Sequence, residues 1–308
     1  MIYLYLHIIS TAVYMNLKVY IFIRWFYINI LLLIIIVKMK KYKYYHFQIP
    51  ITFDCNLKCK NCLFNCDKFT KRNAFYITIE KFKEYLTEIN RIVTNSNIPI
   101  SLTIFGGEPL LHPNVIEFLN ILYDYKICVS DIFFSTNGIK LLSMPNSFFT
   151  IIKKLDAVIS ISKYPININY DNIFKYVQSN HCKIENAVIL SYKLKNTSLS
   201  RFTDNDTMVK FGEARFVKDK IRTEHYCADY CCFPIYDDKI FVCAAMLREY
   251  IKQQIFKFPP LDIPYINLKK INNFEQIIDF IEHDDNMEIC EHCKWKEVKW
   301  QTSKTLTS

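Results

Sequence analysis

The fold is decided by the stretch Phe47-Gln48-Ile49-Pro50-Ile51-Thr52-Phe53-Asp54-Cys55-Asn56-Leu57-Lys58-Cys59-Lys60-Asn61-Cys62. Its first half alternates apolar residues with polar or small ones, which predicts a half-buried strand. Its second half has the spacing Cys-x3-Cys-x2-Cys, and thiolates are the ligands that iron–sulfur clusters require. Three thiolates this close can hold three irons of a 4Fe–4S cube, which leaves the fourth iron open to a small molecule.

Glycine is rare in this chain, and its positions are therefore informative. Only four glycines occur among 308 residues, which indicates that glycine is kept where backbone geometry demands it. Two stand in Gly106-Gly107-Glu108-Pro109, the GGEP turn, after the apolar run 98–105. A third closes Thr136-Asn137-Gly138, the TNG turn, which follows the apolar run 127–134.

The cysteine triplet, the GGEP turn and the TNG turn, in this order, resemble the radical S-adenosylmethionine (radical SAM) enzymes. The resemblance implies that Cys55, Cys59 and Cys62 bind a 4Fe–4S cluster. It further implies that S-adenosylmethionine chelates the open iron and is cleaved to methionine and a 5′-deoxyadenosyl radical, which abstracts hydrogen from a substrate. The cofactor supplies the difficult chemistry, and the protein supplies position and exclusion of water.

The resemblance also implies contacts to S-adenosylmethionine from residues near the strand ends: Phe64, Gly106, Gly107, Glu108, Asn137, Ser160 and Ser162. The two glycines would let the backbone approach the methionyl group closely, and Glu108 would accept hydrogen bonds from its amine. Asn137, in the TNG turn, would lie near the same site.

Three of these assignments have an ordinary structural alternative. One of Ser160 and Ser162 would touch the ribose, although each could simply be a solvated strand end. Phe64 would lie near the adenine, or could serve packing alone. Cys66 stands four residues after Cys62, and we interpret it as a non-ligand because a fourth thiolate would block S-adenosylmethionine from the iron.

A second group of cysteines occupies the last third of the chain. Twelve cysteines in clustered spacings indicate metal binding rather than a disulfide scaffold. Residues 235–242 predict a hairpin with Asp237-Asp238 at its turn. This region resembles the twitch domain, a shortened SPASM-type extension that holds an auxiliary 4Fe–4S cluster. The resemblance implies as ligands Cys232, Cys243, Cys290 and Cys293.

Two alternatives stay open at this second site. The first ligand could be Cys227, Cys231 or Cys232, although Cys232 gives the commonest local spacing. Four thiolates also suit a structural zinc ion. His292 lies between the last two cysteines of the chain, where a histidine is more often an exposed neighbour of the metal than a ligand.

The N-terminal residues 19–37 are apolar apart from Arg24 and Asn29, and this length could span a bilayer. One interpretation is a membrane anchor with the basic run 38–43 on the cytoplasmic side. The interpretation that we favour is that translation begins at Met39, so that residues 1–38 come from an upstream start codon. We therefore expect a cytoplasmic protein.

Apolar runs alternate with amphipathic stretches from Tyr45 onward. Further strands are predicted at 98–105, 127–135, 157–161 and 184–190, and helices at 79–92, 115–122, 148–155 and 173–177, with Thr78 as the cap of the first helix. This α/β alternation predicts parallel strands with right-handed crossovers. The resemblance implies a partial (β/α)6 TIM-like barrel with its site at the carboxyl ends of the strands and a small C-terminal cysteine-rich twitch-like extension.

We therefore expect three regions: an N-terminal extension at 1–38, a core barrel at 39–220 and an auxiliary domain at 221–308. The substrate would be a peptide or a small molecule, and the electron donor a flavodoxin or a ferredoxin. The net charge of +9 is spread along the chain, so that nucleic-acid binding is permitted rather than indicated. A rival hypothesis is a non-catalytic cysteine-rich zinc or iron–sulfur module that binds nucleic acid, but it leaves the two glycine turns unexplained.

Overall fold

The computed structural model describes residues 45–60, 62, 64–96, 98–186, 202–203, 207–211, 232–256, 262–282 and 295–299. The helices are α1 (Ile79–Val93), α2 (Val115–Tyr125), α3 (Asn146–Lys154), α4 (Tyr170–Ser179), α5 (Ala244–Phe256) and α6 (Glu275–Glu282). The strands are β1 (Tyr45–Thr52), β2 (Ile100–Gly106), β3 (Asp131–Thr136), β4 (Val158–Ile161), β5 (Lys183–Asn186), β6 (Phe202–Thr203), β7 (Thr207–Phe211), β8 (Cys232–Tyr236), β9 (Lys239–Ile240), β10 (Ile266–Asn267) and β11 (Trp295–Lys299).

The main sheet has eight strands in the order β10-β9-β8-β1-β2-β3-β4-β5. Strands β1 to β5 are parallel, and each pairs with the next along the chain. Helices α1 to α4 connect them in turn, as a parallel α/β fold requires. The predicted fold class, an α/β sheet that begins a TIM-like barrel, is thus confirmed. The end of the predicted strand 184–190, beyond Asn186, lies outside the described residues.

Local signals set several element boundaries, whereas distant contacts moved others. The hydroxyl of Thr78 accepts a hydrogen bond from the backbone of Lys81 at 3.2 Å, so that the predicted cap of α1 is confirmed. β3 begins at Asp131, later than the predicted residue 127, since the backbone N–H of Cys128 donates instead to the side chain of Asn90 at 3.0 Å. The extended sequence before β3 therefore packs against α1 before it joins the sheet.

β1 is buried on both faces, although the alternation in its sequence predicts a half-buried strand. β1 is a central strand of the sheet, because it pairs with β2 on one side and with β8 on the other. On one face of the sheet, Phe134 of β3 packs against Phe148 of α3 with ring centroids 5.4 Å apart. This face is therefore the one that the helices cover.

The opposite face of the sheet carries polar side chains. His46 lies between two hydroxyls, with Nδ1 2.5 Å from Ser101 Oγ and Nε2 2.5 Å from Thr103 Oγ1. Burial lowers the pKa of His46 to about 4, which Asp131 opposes, so that the ring is neutral near pH 7. The register from strand to strand places Ser135, Ser160 and Glu185 on the same face, one step nearer the carboxyl ends.

β8 and β9 form the predicted hairpin, which is confirmed, with Asp237 and Asp238 as its two turn residues. Both have left-handed backbones, with φ of 53° and 56°, as a type I′ turn requires. Ion pairs hold Asp238 in place without a glycine, because its carboxylate is 2.8 Å from Lys81 Nζ and 3.1 Å from Lys269 Nζ.

A separate antiparallel sheet has the order β11-β7-β6. None of the helices that the structure describes is both long and apolar enough to cross a bilayer. The apolar stretch 19–37 lies outside the described residues, so that the membrane-anchor alternative stays a prediction.

Candidate metal and cofactor site

The cysteine loop follows the carboxyl end of β1 and winds in successive tight turns. The backbone N–H of Cys62 donates to the carbonyl of Cys59, and that of Asn65 to the carbonyl of Cys62, both at 3.1 Å. Cys55 and Cys59 are buried, and Cys62 is half-buried. Burial raises the pKa of the Cys55 thiol well above its usual range, and the nearby Cys62 and Cys59 raise it further. The three predicted ligands therefore lie within electrostatic range of one another.

The chemistry of this loop suits an iron–sulfur cube. Cys55, Cys59 and Cys62 all carry thiols, and a set of thiolates, each bound to a different iron, is what a 4Fe–4S cube takes. Across the described part of the chain, no three side chains of His, Cys, Asp or Glu are grouped so that they could hold one ion.

Cys66 contacts the same loop from within the protein. It is almost fully buried, and a hydrogen bond with the Cys62 thiol, followed by burial, raises its pKa well above the usual range. The prediction that Cys66 is not a ligand stays a prediction, although the structure brings this fourth thiol into contact with Cys62.

The GGEP turn lies directly against the start of the cysteine loop. The backbone N–H of Gly107 donates to the carbonyl of Thr52 at 2.7 Å, and that of Glu108 to the carbonyl of Asp54 at 2.8 Å. A Cβ on Gly106 would overlap the Thr52 carbonyl, and one on Gly107 would overlap that of Asp54. The need for glycine is thus explained by the close approach of β2 to β1, whereas the predicted approach to a methionyl group stays a prediction.

Glu108 is completely buried and joins the GGEP turn to the TNG turn. Its Oε1 accepts hydrogen bonds from the hydroxyl of Thr136 at 2.7 Å and from the backbone N–H of Leu110 at 3.0 Å. Its Oε2 accepts one from the backbone N–H of Asn137 at 2.8 Å. Burial raises the pKa of Glu108 to about 7 against these hydrogen bonds. In this structure the carboxylate binds the protein itself, and the predicted contact with an amine stays a prediction.

Asn137 continues this network into the cysteine loop. Its Nδ2 donates to Oδ1 of Asn56 at 2.7 Å, and its own Oδ1 accepts from the backbone N–H of Ile139 at 3.0 Å. Asn56 directly follows Cys55. The cysteine loop and the two glycine turns are thus bonded together at one edge of the sheet, as the α/β rule for strand ends predicts.

The other predicted cofactor residues differ in their surroundings. Ser160 is fully buried, and its Oγ has no hydrogen-bond partner among the described residues. Ser162 is buried too, and its backbone N–H donates to the carbonyl of Thr136 at 2.9 Å. Phe64 packs edge-on against Phe105 with centroids 5.0 Å apart. The free hydroxyl of Ser160 is a polar group that a ligand could satisfy, whereas the contacts of Phe64 are those of core packing.

The second cysteine group is only partly described. Cys232 lies opposite His46 at the amino-terminal end of β1, and Cys243 lies just past β9, which returns antiparallel to β8. Both cysteines therefore lie toward the amino-terminal ends of the strands, whereas the cysteine loop follows the carboxyl end of β1. The six residues from His46 to Thr52 along β1 separate these two ends by about 20 Å. The other candidates, Cys227, Cys231, Cys290 and Cys293, lie outside the described residues, as does His292.

Sequence reasoning missed the residues that support the loop. Asp54 accepts a hydrogen bond from the Tyr76 hydroxyl at 2.9 Å and lies 3.6 Å from the Lys58 ammonium. Asp54 and Asn56 are polar residues flanking the first cysteine, which is the signal that could have marked them. Tyr76 is 22 residues away in sequence and carries no comparable local signal.

Comparisons with known proteins agree with this site. Residues 50–180 match the family model described as a 4Fe–4S single cluster domain. This range, less than half of the chain, includes the cysteine loop, both glycine turns and β4. No curated protein matches the chain in sequence.

Similarities to solved structures were also found. BtrN in complex with AdoMet and 2-DOIA is 12% identical, with 81% of this chain and 86% of that chain covered at a TM-score of 0.48. Native anSMEcpe with bound AdoMet is 16% identical, with 46% of this chain and 43% of that chain covered at a TM-score of 0.35. Streptococcus suis SuiB bound to S-adenosylmethionine is 18% identical, with 48% of this chain and 35% of that chain covered at a TM-score of 0.35. The chain spans less than half the length of the last two. Through residues 50–180 the chain is similar to the 4Fe–4S single cluster domain family, in agreement with the predicted 4Fe–4S site in the cysteine loop.

Proposed function

We propose that this protein is a radical SAM enzyme. The observation that carries the proposal is the hydrogen-bonded chain from Glu108 through Asn137 to Asn56, which joins the three motif loops at the carboxyl edge of the sheet. A non-catalytic module has no need for these three loops to meet. The 4Fe–4S match over residues 50–180 supports the same proposal.

Each part of the chain has a role in this proposal. Cys55, Cys59 and Cys62 hold the cluster. A reduced cluster bound there would supply the electron for cleavage of S-adenosylmethionine into methionine and a 5′-deoxyadenosyl radical. The hydroxyl of Ser160, which has no hydrogen-bond partner in the described part of the chain, would bond a ribose hydroxyl. That radical would take one hydrogen atom from the substrate, to give 5′-deoxyadenosine and a substrate radical.

The substrate and the electron donor are less constrained. We propose a peptide or a small molecule as substrate and a flavodoxin or ferredoxin as the cytoplasmic source of electrons. The polar face of the sheet, with Ser135 and Glu185 in the layer of Ser160, supports a substrate that forms hydrogen bonds.

A second 4Fe–4S cluster, held by Cys232, Cys243, Cys290 and Cys293, is the finer part of the proposal. The positions of Cys232 and Cys243 near the amino-terminal end of β1 place them far from the cysteine loop. A small-molecule substrate that meets the radical at the carboxyl edge could not also bind a cluster about 20 Å away, whereas an extended peptide could reach both. For a small-molecule substrate, this separation favours electron transfer rather than substrate binding as the role of the second cluster.

The proposal is tested by cofactor cleavage. Protein reconstituted with iron and sulfide under anaerobic conditions, then reduced, is expected to convert S-adenosylmethionine to 5′-deoxyadenosine, measured by chromatography. Cys59→Ala is expected to abolish the product. Cys128→Ala is the matched control, because this exposed cysteine lies away from the loop, and it should leave the yield unchanged. A reconstituted wild type that binds iron yet forms no 5′-deoxyadenosine would overturn the assignment.

A further inference from the structure

Lys58 has an unusual backbone inside the cysteine loop. Its φ is 45°, in the left-handed region that residues other than glycine adopt at an energetic cost. It stands immediately before Cys59. A strained backbone of this kind persists only where the surrounding contacts stabilise it. The contacts of the Lys58 side chain stabilise it here.

The Lys58 ammonium binds the far end of the loop. Its Nζ lies 2.6 Å from the carbonyl oxygen of Phe69 and 3.1 Å from that of Cys66. The side chain is only 15% exposed. An ammonium has three donors, and two of them are thus directed at backbone acceptors that follow the cysteine triplet.

The same ammonium also reaches the near end of the loop. It lies 3.6 Å from Oδ1 of Asp54, whose side chain is 5% exposed. The carbonyl of Asp54 accepts from the backbone of Glu108 at 2.8 Å, and its N–H donates to Thr52 Oγ1 at 3.0 Å. Asp54 is thus fixed to β1 and to the GGEP turn, so that Lys58 links a rigid base to the chain beyond the cysteines.

We propose that Lys58 is a positioning residue that clamps the two ends of the cysteine loop and holds Cys55 and Cys59 in place before any cluster binds. The clamp keeps the spacing of the thiols fixed. Separation of a buried ammonium from its carbonyl and carboxylate partners has a high free-energy cost, so that the loop rarely opens. The importance of this role for a cluster rests on the proposed function, but the clamp itself is a property of the metal-free chain.

The clamp is tested by thiol alkylation of the metal-free, reduced full chain with iodoacetamide, with each cysteine quantified by mass spectrometry. In Lys58→Met, local opening is expected to raise the alkylation rates of Cys55 and Cys59 about tenfold. Lys58→Arg keeps a charged donor and is expected to restore most of the protection. Lys60→Met removes the same charge from an exposed position in the same loop and should leave both rates unchanged.

Cys182 is the internal reference. It is buried directly before β5, where its thiol donates to the carbonyl of Phe149 at 3.4 Å, far along the sheet from the loop. A Lys58→Met protein that labels Cys55 and Cys59 at the wild-type rate overturns the proposal. So does an equal rise at Cys182, which would assign Lys58 to overall stability. Asp54→Asn offers a second variant, with a smaller rise expected at the same two cysteines.

A holo measurement extends the test. Lys58→Met is expected to lose its iron to a chelator several times faster than Lys58→Arg, as followed by the visible absorption of the cluster. If the wild type holds iron but makes no 5′-deoxyadenosine, the proposed enzyme activity fails, whereas the labelling pattern of the metal-free variants still decides the role of Lys58.

Discussion

The backbone N–H of Asn137 donates a hydrogen bond of 2.8 Å to Oε2 of Glu108, so that the TNG turn is bonded to the GGEP turn through a fully buried carboxyl. The partners come from the ends of two neighbouring strands, β2 and β3. Since Asn137 also bonds Asn56, Glu108 is connected through it to the loop that carries the three cysteines. Glu108 thus holds the two glycine turns together through its own hydrogen bonds.

The carboxyl of Glu108 predicts a specific pH dependence of stability. Burial raises its pKa from 4.5 to about 7. Between these values the folded protein keeps a proton that the unfolded chain has lost. The stability due to this proton is therefore fully present below pH 4.5 and is lost as the pH rises through about 7. Glu108→Gln should remove this component, measured as unfolding free energy in urea at about pH 5 and about pH 8.

His46 changes the stability with pH in the opposite direction to Glu108. The control is therefore the comparison of wild type with Glu108→Gln, since both proteins contain His46. Its pKa is lowered from 6.5 to about 4, so that its contribution is present above pH 6.5 and is lost as the pH falls. The two effects oppose each other in wild type, whereas the difference between wild type and Glu108→Gln isolates the carboxyl. A difference that does not change with pH would contradict the prediction.

Gly107→Ala is expected to destabilise the protein through a steric clash. The added Cβ would overlap the carbonyl of Asp54, which is backbone and cannot turn aside. Overpacking of this kind costs about 1–3 kcal/mol, to be measured as a fall in unfolding free energy. Gly138→Asn is the milder comparison, because asparagine tolerates the φ of +80° at this position and its Cβ would meet side-chain atoms, those of Ile161 at 3.3 Å and of Tyr170 at 3.7 Å. Equal losses from both changes would contradict this account.

Cys66→Ala tests whether Cys66 is a ligand of the first cluster or only a neighbour of Cys62. Cys66 contacts Cys62 but stands outside the triplet, so that the variant is expected to bind about four irons at the first site and to retain cofactor cleavage. Cys59→Ala should lose both. Iron analysis and 5′-deoxyadenosine yield measure the two properties. A Cys66→Ala protein without iron, together with an active Cys59→Ala protein, would transfer the ligand role to Cys66.

The metal count tests the second cysteine group. If both sites hold 4Fe–4S cubes, reconstituted wild type should contain about eight irons per chain. Replacement of Cys55, Cys59 and Cys62 together by alanine should leave about four. The matched variant replaces Cys232 and Cys243 and should retain the first cluster. One zinc and no iron in the triple variant would identify the second group as a structural zinc site. No metal at all in that variant would mean that the second group binds no metal.

The sequence was sufficient where the signal is local. The spacing of Cys55, Cys59 and Cys62 lies within eight residues, and the cap at Thr78 acts on a residue three positions ahead. The hairpin turn at Asp237 and Asp238 is local in the same sense. Such features follow from residue types at short range, since the chain cannot avoid bringing these neighbours together.

Other features depended on distant partners. The sequence marked Glu108 as an acceptor for an amine, but burial among Thr136 and Asn137 gives it three partners from the protein itself. The pairing of β8 with β1 joins residues 186 positions apart, from His46 to Cys232, and it decides which edge of the sheet the second cysteine group occupies. No pattern within either strand specifies that pairing.

By itself, the sequence determined the parallel α/β class, the cysteine loop and the two glycine turns, because periodicity, spacing and the scarcity of glycine are properties of the chain. Only the tertiary structure decided what those glycines approach, that Lys58 spans the loop, and that Cys232 lies at the far edge from Cys55. The physical reason is that hydrogen bonds and burial between segments distant in sequence depend on how the whole sheet assembles, whereas a local motif requires only its own residues.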